Sequence, residues 1–295
     1  MSLIEEALKR AKRDSSAEST GSRARIESPH IRAADSQPGR LAAKLATRPL
    51  YDIDREGLRV AGLVPQGSAE RRLTSEYRAI KRAMLATMAR RTGAAAETGN
   101  SVMVASAMPS EGKTFTSVNL AISLAAERDW TVVLVDADGA KRHLTSVLGM
   151  REERGLFDVL GDGKSSLSDV MFRTSIPGLC IVPAGRYSES ATELMASARM
   201  SQVLRDLLQE DSRIIVLFDS SPILLTTESR ALADAVGQVL LVVRADFTPR
   251  ASVQEAIAAL GEGHQIGLIL NEYQGTALQQ SYYESDEGQR ARPAS

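Results

Sequence analysis

The stretch Ala107-Met108-Pro109-Ser110-Glu111-Gly112-Lys113-Thr114 constrains this chain more than any other. The apolar run Val102–Ala105 before it has the length of a buried strand, and Phe115–Ala126 after it reads as a helix. A small-residue loop ending Gly-Lys-Thr between strand and helix is the setting a phosphate-binding loop requires. Loop N–H groups can cradle phosphate oxygens, and the helix N-terminus favours an anion. Lys113 is placed to reach the outer phosphates and Thr114 to take a magnesium position. The full pattern is G-x-x-x-x-G-K-S/T, and Ala107 stands where it asks for the first glycine. The competing reading, an ordinary turn with an exposed lysine, leaves the flanking strand and helix unexplained.

Composition narrows the function classes. The 295 residues carry a formal net charge of −1, which gives no case for a nucleic-acid partner. Few aromatic residues argue against a stacking platform for single strands. The one cysteine, Cys180, rules out an intramolecular disulfide and sits in an apolar run, where a buried, inert thiol is expected. No apolar run is long enough to span a bilayer, and the opening residues lack the order of a signal peptide. A cytoplasmic protein is expected, with docking on a membrane protein still open.

Along the chain, residues 1–13 form an amphipathic pattern with Leu3, Ile4, Ala7, Leu8 and Ala11 on one helical face. It reads equally as a docking helix or as a frayed terminus, because so short a helix is marginal alone. Residues 14–50 lack apolar periodicity and read as a flexible linker. Residues 51–97 read as an extension: a strand over Leu58–Val64, then a helix over Leu73–Arg91 with an apolar stripe of Tyr77, Ile80, Met84, Leu85 and Met88. Its basic residues Arg78, Lys81 and Arg82 read as a solvated face. Residues 98–272 form the core domain, and 273–295 a polar tail.

Within the core domain, Val102–Ala105, Thr131–Val135, Leu179–Val182, Ile214–Phe218, Val239–Val243 and Ile266–Leu270 are apolar runs of strand length. Helical segments at Thr116–Glu127, Leu194–Gln209, Glu228–Ala235 and Ser252–Leu260 separate them. This pattern predicts an α/β fold, a doubly wound, mostly parallel sheet with helices on both faces. Ligands in such sheets bind at the carboxyl ends of the strands. There the sequence places the phosphate loop, then Asp136 and Asp138, then Asp219, then Asn271. Two aspartates at i and i+2 on a strand end point to one side and can serve a metal and a proton. An apolar run ending in Asp219 has the form of a strand whose carboxylate holds Mg²⁺. The Asn271 amide could pair with a base edge. Each aspartate alone could merely start a turn or cap a helix. Their convergence on one sheet edge with a phosphate loop favours a Mg²⁺–nucleotide site.

The loop, the motif Val-Leu-Val-Asp-Ala-Asp ending at Asp138 and the motif Val-Leu-Phe-Asp-Ser-Ser-Pro around Asp219 resemble the Walker A, A′ and B motifs of bacterial tyrosine kinases, P-loop autokinases of polysaccharide assembly. The resemblance covers about Leu58 to Tyr283. The opening Met-Ser-Leu-Ile-Glu-Glu-Ala-Leu-Lys-Arg, Glu76–Arg82 and Ala191–Met200 are most similar to the exosortase-associated exopolysaccharide autokinases. The resemblance implies a P-loop NTPase-type fold, with ATP and Mg²⁺ as cofactors. It implies a nucleotide site of Pro109, Ser110, Glu111, Gly112, Lys113, Thr114, Phe115 and Asn271. It makes Thr114, Asp138 and Asp219 the magnesium set and Asp136 the base acting beside Lys113. Phosphoacceptors are implied at Tyr282, Tyr283 and Tyr273. The implied partner is a membrane-spanning chain-length or co-polymerase-type activator that holds the protein peripherally at the inner membrane, with a homo-oligomer possible.

Three departures stand out. The tail offers few tyrosines. The position two residues after Asp138, often Arg in the family, is Ala140, with Lys141 next. The family's E-x-x-R-x-x-R oligomer motif aligns with Ser75, Arg78 and Lys81. Two other readings remain. An ATPase switch of the partitioning or septum-positioning type usually has a second lysine early in the phosphate loop, and none lies between Ser101 and Lys113. A non-catalytic assembly factor would keep the nucleotide site alone.

Overall fold

The computed structural model describes residues 40–48, 50–67, 69–91, 97–127, 129–186 and 189–273. The pattern over residues 1–13, most of the linker and the tail segment with Tyr282 and Tyr283 lie outside the described residues. The six apolar runs are strands β2 (Ser101–Ser106), β3 (Thr131–Asp136), β5 (Leu179–Val182), β6 (Ile214–Asp219), β7 (Gln238–Arg244) and β8 (Ile266–Asn271). Two short strands, β1 (Leu50–Tyr51) and β4 (Phe172–Thr174), complete one sheet in the order β1-β4-β5-β3-β6-β2-β7-β8. All neighbours pair in parallel except β4 with β5. The fold is the doubly wound α/β arrangement of P-loop NTPases.

Strand side chains alternate between two apolar layers. Met103, Val133, Val135, Val216, Phe218 and Leu241 face one layer, with helices α6 (Leu156–Asp162), α7 (Ala191–Met195), α8 (Ala198–Glu210), α9 (Thr227–Ala235) and α10 (Arg250–Leu260) contributing to it. Val102, Val132, Leu134, Ile215, Leu217 and Leu240 face the other, covered by α3 (Ala69–Ala89), α4 (Lys113–Ala125) and α5 (His143–Val147). Burial on both faces explains why the central strands read as unbroken apolar runs rather than alternating ones.

Three local expectations are corrected. Leu58–Val64 is not a strand: α2 (Arg55–Val60) occupies its first half. The helix ends in a Schellman turn, with Gly62 at φ +69°, Gly62 N–H donating to Arg59 O and Leu63 N–H to Leu58 O. Leu58 and Leu63, the apolar pair of that motif, are the buried residues, while Val60 is 80 % exposed. Asp54 before the run and Gly62 after it were helix-boundary signals outweighed by apolar content. The linker is not structureless to residue 50, since α1 (Arg40–Ala46) buries Leu41 and Leu45 in the first layer. A single i,i+4 pair is too short a pattern to register as periodicity. The helix expected over Leu194–Gln209 is two helices, α7 and α8, broken at Ser197, whose hydroxyl donates to Leu194 O.

The basic face of α3 is not uniformly solvated either. Lys81 is buried, and its Nζ donates to Ser123 O at 3.1 Å and pairs with Glu127 at 2.5 Å, tying α3 to the end of α4. Of the three positions aligned with the oligomer motif, this one serves an intramolecular contact. Replacing Lys81 by Ala removes both bonds and leaves the Ser123 carbonyl unpaired. The expected outcome is a loss of about 1–3 kcal/mol in urea unfolding.

Candidate nucleotide site

The loop after β2 is shaped by two left-handed residues, Ser110 at φ +62° and Gly112 at φ +92°. Ala107 has no positive φ and is fully buried, so the missing first glycine imposes no backbone strain. Gly112 is required twice. Its conformation disfavours a side chain, and a Cβ there would lie 2.0 Å from Asn271 Nδ2.

The loop is braced from behind by its own glutamate. Glu111 is fully buried, and its carboxylate accepts the Met108 N–H and the Thr248 hydroxyl. Asn271 Nδ2 donates to Glu111 O at 3.0 Å. These bonds fasten the loop to the β7–α10 connection and to the end of β8.

In front of the loop lies a cleft of about 910 Å³. Pro109, Ser110, Gly112, Lys113, Thr114, Phe115 and Asn271 line it, while the Glu111 side chain does not. Asp138, Lys141 and His143 form one wall, and α3 supplies another through Arg72, Leu73, Glu76, Tyr77 and Ile80. Tyr273 also lines the cleft. Lys113 is buried, and its Nζ donates to Ser106 Oγ at 2.8 Å. Burial lowers its pKa, opposed by Asp219, Asp138 and Glu111.

The carboxylates lie at two depths. Asp138, at the cleft wall, accepts the Lys141 N–H at 3.0 Å. Asp136 lies beneath, fully buried: Oδ1 accepts the Asp138 N–H, and Oδ2 accepts the Thr145 N–H at 2.8 Å and its hydroxyl at 2.7 Å. Asp219 is Asp136's partner in the β3–β6 ladder and lies 3.0 Å from Ser117 Oγ. Burial raises the Asp136 pKa to about 6, against the Thr145 and Asp138 hydrogen bonds. Burial, then the charge of Asp136, raises that of Asp219 to about 7, against the Thr114 and Ser117 hydroxyls and Lys113.

This donor set fits a magnesium-bound polyphosphate. Lys113 lines the cleft with its positive charge, and two carboxylates with the Thr114 hydroxyl offer hard oxygen ligands. Among the described residues no three His, Cys, Asp or Glu side chains group as a metal site by themselves. Magnesium commonly takes its remaining ligands from phosphate and water.

Residues 99–261, more than half of the chain, match the family described as AAA domain. The kinase domain of VpsO is 32 % identical over 67 % of this chain and 100 % of that one, with a TM-score of 0.53. The chain belongs to the bacterial tyrosine kinase family. The kinase domain of the Escherichia coli tyrosine kinase ETK is 29 % identical over 60 % of this chain and 69 % of that one, with a TM-score of 0.54. The tyrosine-protein kinase Wzc of Salmonella typhimurium is 29 % identical over 63 % of this chain. The chain spans only about a fifth to a quarter of the curated relatives it matches.

For this tyrosine kinase family member, sequence reading missed the residues that hold the site from behind: Ser106, Ser117, Thr145 and Thr248. Hydroxyl residues carry no periodic signal, and Thr248 is 137 positions from the glutamate it meets. The Glu76–Arg82 segment was marked by the resemblance, but nothing in its pattern placed Glu76, Tyr77 and Ile80 at the cleft.

The raised carboxylates predict a pH effect. The folded state keeps protons on Asp136 and Asp219 after the unfolded chain has lost them, so their stabilising contribution is full below about pH 4 and falls as pH rises to 7. In nucleotide-free protein with EDTA, Asp219→Asn should reduce the drop in Tm between pH 5 and pH 8. An unchanged drop would refute the proton assignment.

Proposed function

We propose that this chain is an ATP-dependent protein-tyrosine autokinase that moves the γ-phosphate of ATP to tyrosines near its C-terminal end. The observation that carries the reading is the meeting of Lys113, Thr114 and Asp138 in one cleft, at the edge where β3 and β6 set Asp136 beside Asp219. Phosphoryl transfer asks mainly for positioning and charge neutralisation, and this arrangement offers both.

Lys113 leaves Ser106 for the β- and γ-phosphate oxygens, joined by the loop amides. Thr114, Asp138 and Asp219 hold magnesium, which neutralises phosphate charge when bound. Asn271 keeps one amide N–H on the loop, and its remaining N–H and carbonyl oxygen are the groups a base edge can meet. The acceptor oxygen bonds to the γ-phosphorus, ADP departs, and the hydroxyl proton passes to a carboxylate. We assign that proton to Asp136, whose raised pKa suits it to accept one. Asp136 is fully buried and its oxygens are held by Asp138 N–H and Thr145, so accepting the proton requires one of these hydrogen bonds to open.

Tyr282 and Tyr283 are the proposed acceptors, with Tyr273, which lines the cleft, a third candidate. The resemblance to exosortase-associated autokinases supports a role in regulating exopolysaccharide biosynthesis or export. It also supports a membrane-spanning co-polymerase-type activator, self-association, and a peripheral place at the inner membrane. Among the described residues no helix is long and apolar enough to cross a membrane.

Mass spectrometry after incubation with ATP and Mg²⁺ tests the reading. Wild type should gain phosphate on Tyr282 or Tyr283. Lys113→Met should lose it by at least about 100-fold, the scale for removing one donor to a developing charge. Asp136→Asn should lose transfer while still binding nucleotide. ATP hydrolysis with no phosphotyrosine in an activator-supplied protein would reject the kinase.

A further inference from the structure

The three consecutive basic residues after the Asp136–Asp138 motif are used differently. Arg142 has φ +46°, and its guanidinium donates to Gly185 O at 3.1 Å. Its neighbours Lys141 and His143 are exposed, and both line the nucleotide cleft beside Asp138 and Lys113. The turn is pinned, with the Lys141 N–H on Asp138 Oδ1 and the Arg142 N–H on Asp138 O.

Other charges on the cleft wall, Asp138 apart, are already matched. Arg72 pairs with Glu76 at 2.7 Å, and Glu272 with Arg244 at 2.7 Å. Lys113 is committed to Ser106 and the phosphates. Lys141 has no ion-pair partner among the described residues, although it lines the cleft beside Asp138.

The sequence after the described residues supplies a complement. From Gln274 to Tyr283 there is no charged residue, and Glu284, Asp286 and Glu287 then follow directly on the tyrosine pair. Tyr273 lacks such a run, being followed by Gln274 and Gly275.

We propose that Lys141, with His143 beside it, reads acidic residues on the C-terminal side of the acceptor tyrosine, and that the segment it fits is Tyr282–Glu287 of this chain. The inference rests on the kinase reading and deepens it, giving the acceptor class as acidic tyrosine segments and ranking Tyr282 and Tyr283 above Tyr273. An exposed pair of this kind is modest and weakens with salt.

The test measures binding, not transfer. Full-length protein is loaded with a non-hydrolysable ATP analogue and Mg²⁺. Two labelled peptides of residues 279–290 are titrated by fluorescence anisotropy at low salt, one native and one with Glu284→Gln, Asp286→Asn and Glu287→Gln. The native peptide should bind about fivefold tighter, the scale of one exposed ion pair. Lys141→Glu should abolish that preference, and a peptide with lysine at the three positions should then bind the variant better than wild type. Equal binding of the two peptides, no measurable binding of either, or a preference unchanged in Lys141→Glu overturns the proposal. Discrimination without phosphotyrosine in the transfer assay supports the reader and rejects the kinase. Phosphotyrosine without discrimination does the reverse.

Discussion

The parallel register of β3 on β6 sets Asp136 opposite Asp219 at the carboxyl edge of the sheet. Two carboxylates buried side by side are costly when both are charged, and neither strand can slip to separate them. A one-residue shift would turn every buried side chain of that strand to the opposite layer. The apolar layers therefore hold in place a charge arrangement that is unfavourable alone. Lys113, the Thr114 and Ser117 hydroxyls and the Thr145 donors relieve it in part. A cation would relieve it further.

The same edge holds the phosphate loop under constraint from three sides. Glu111 anchors it to Thr248, Asn271 presses on Gly112 and bonds to Glu111 O, and Lys113 is drawn back to Ser106. Residues from β2, the β7–α10 connection and β8 thus share one small network. The loop's shape is thus fixed by its own neighbours, and little ordering remains for a ligand to impose.

The central sheet was legible because its strands are buried on both faces and read as unbroken apolar runs of strand length. The phosphate loop and the aspartates at strand ends were legible for a related reason, since they follow those runs directly. The peripheral elements were not. β4 has Arg173 at its centre and three residues in all, and β1 has two, so neither carries a pattern. α2 was misread because its Schellman turn brings Leu58 and Leu63 together through backbone geometry, not through period. Within the site, motif reading found the residues that face a ligand but not their relative depth. That Asp136 lies under Asp138, bonded to Thr145, depends on the turn that brings α5 back to the end of β3, which no spacing rule encodes.

The Lys113–Ser106 bond uses one of the three donors of the ammonium group. Ser106 passes its own hydrogen to Met108 O at 2.6 Å, so lysine, serine and loop carbonyl form one directed chain. A serine in this role orients the lysine without neutralising it, because a hydroxyl carries no charge. The buried ammonium therefore keeps its full charge and two further donors at a fixed point of the cleft, where an anionic oxygen makes the stronger bond.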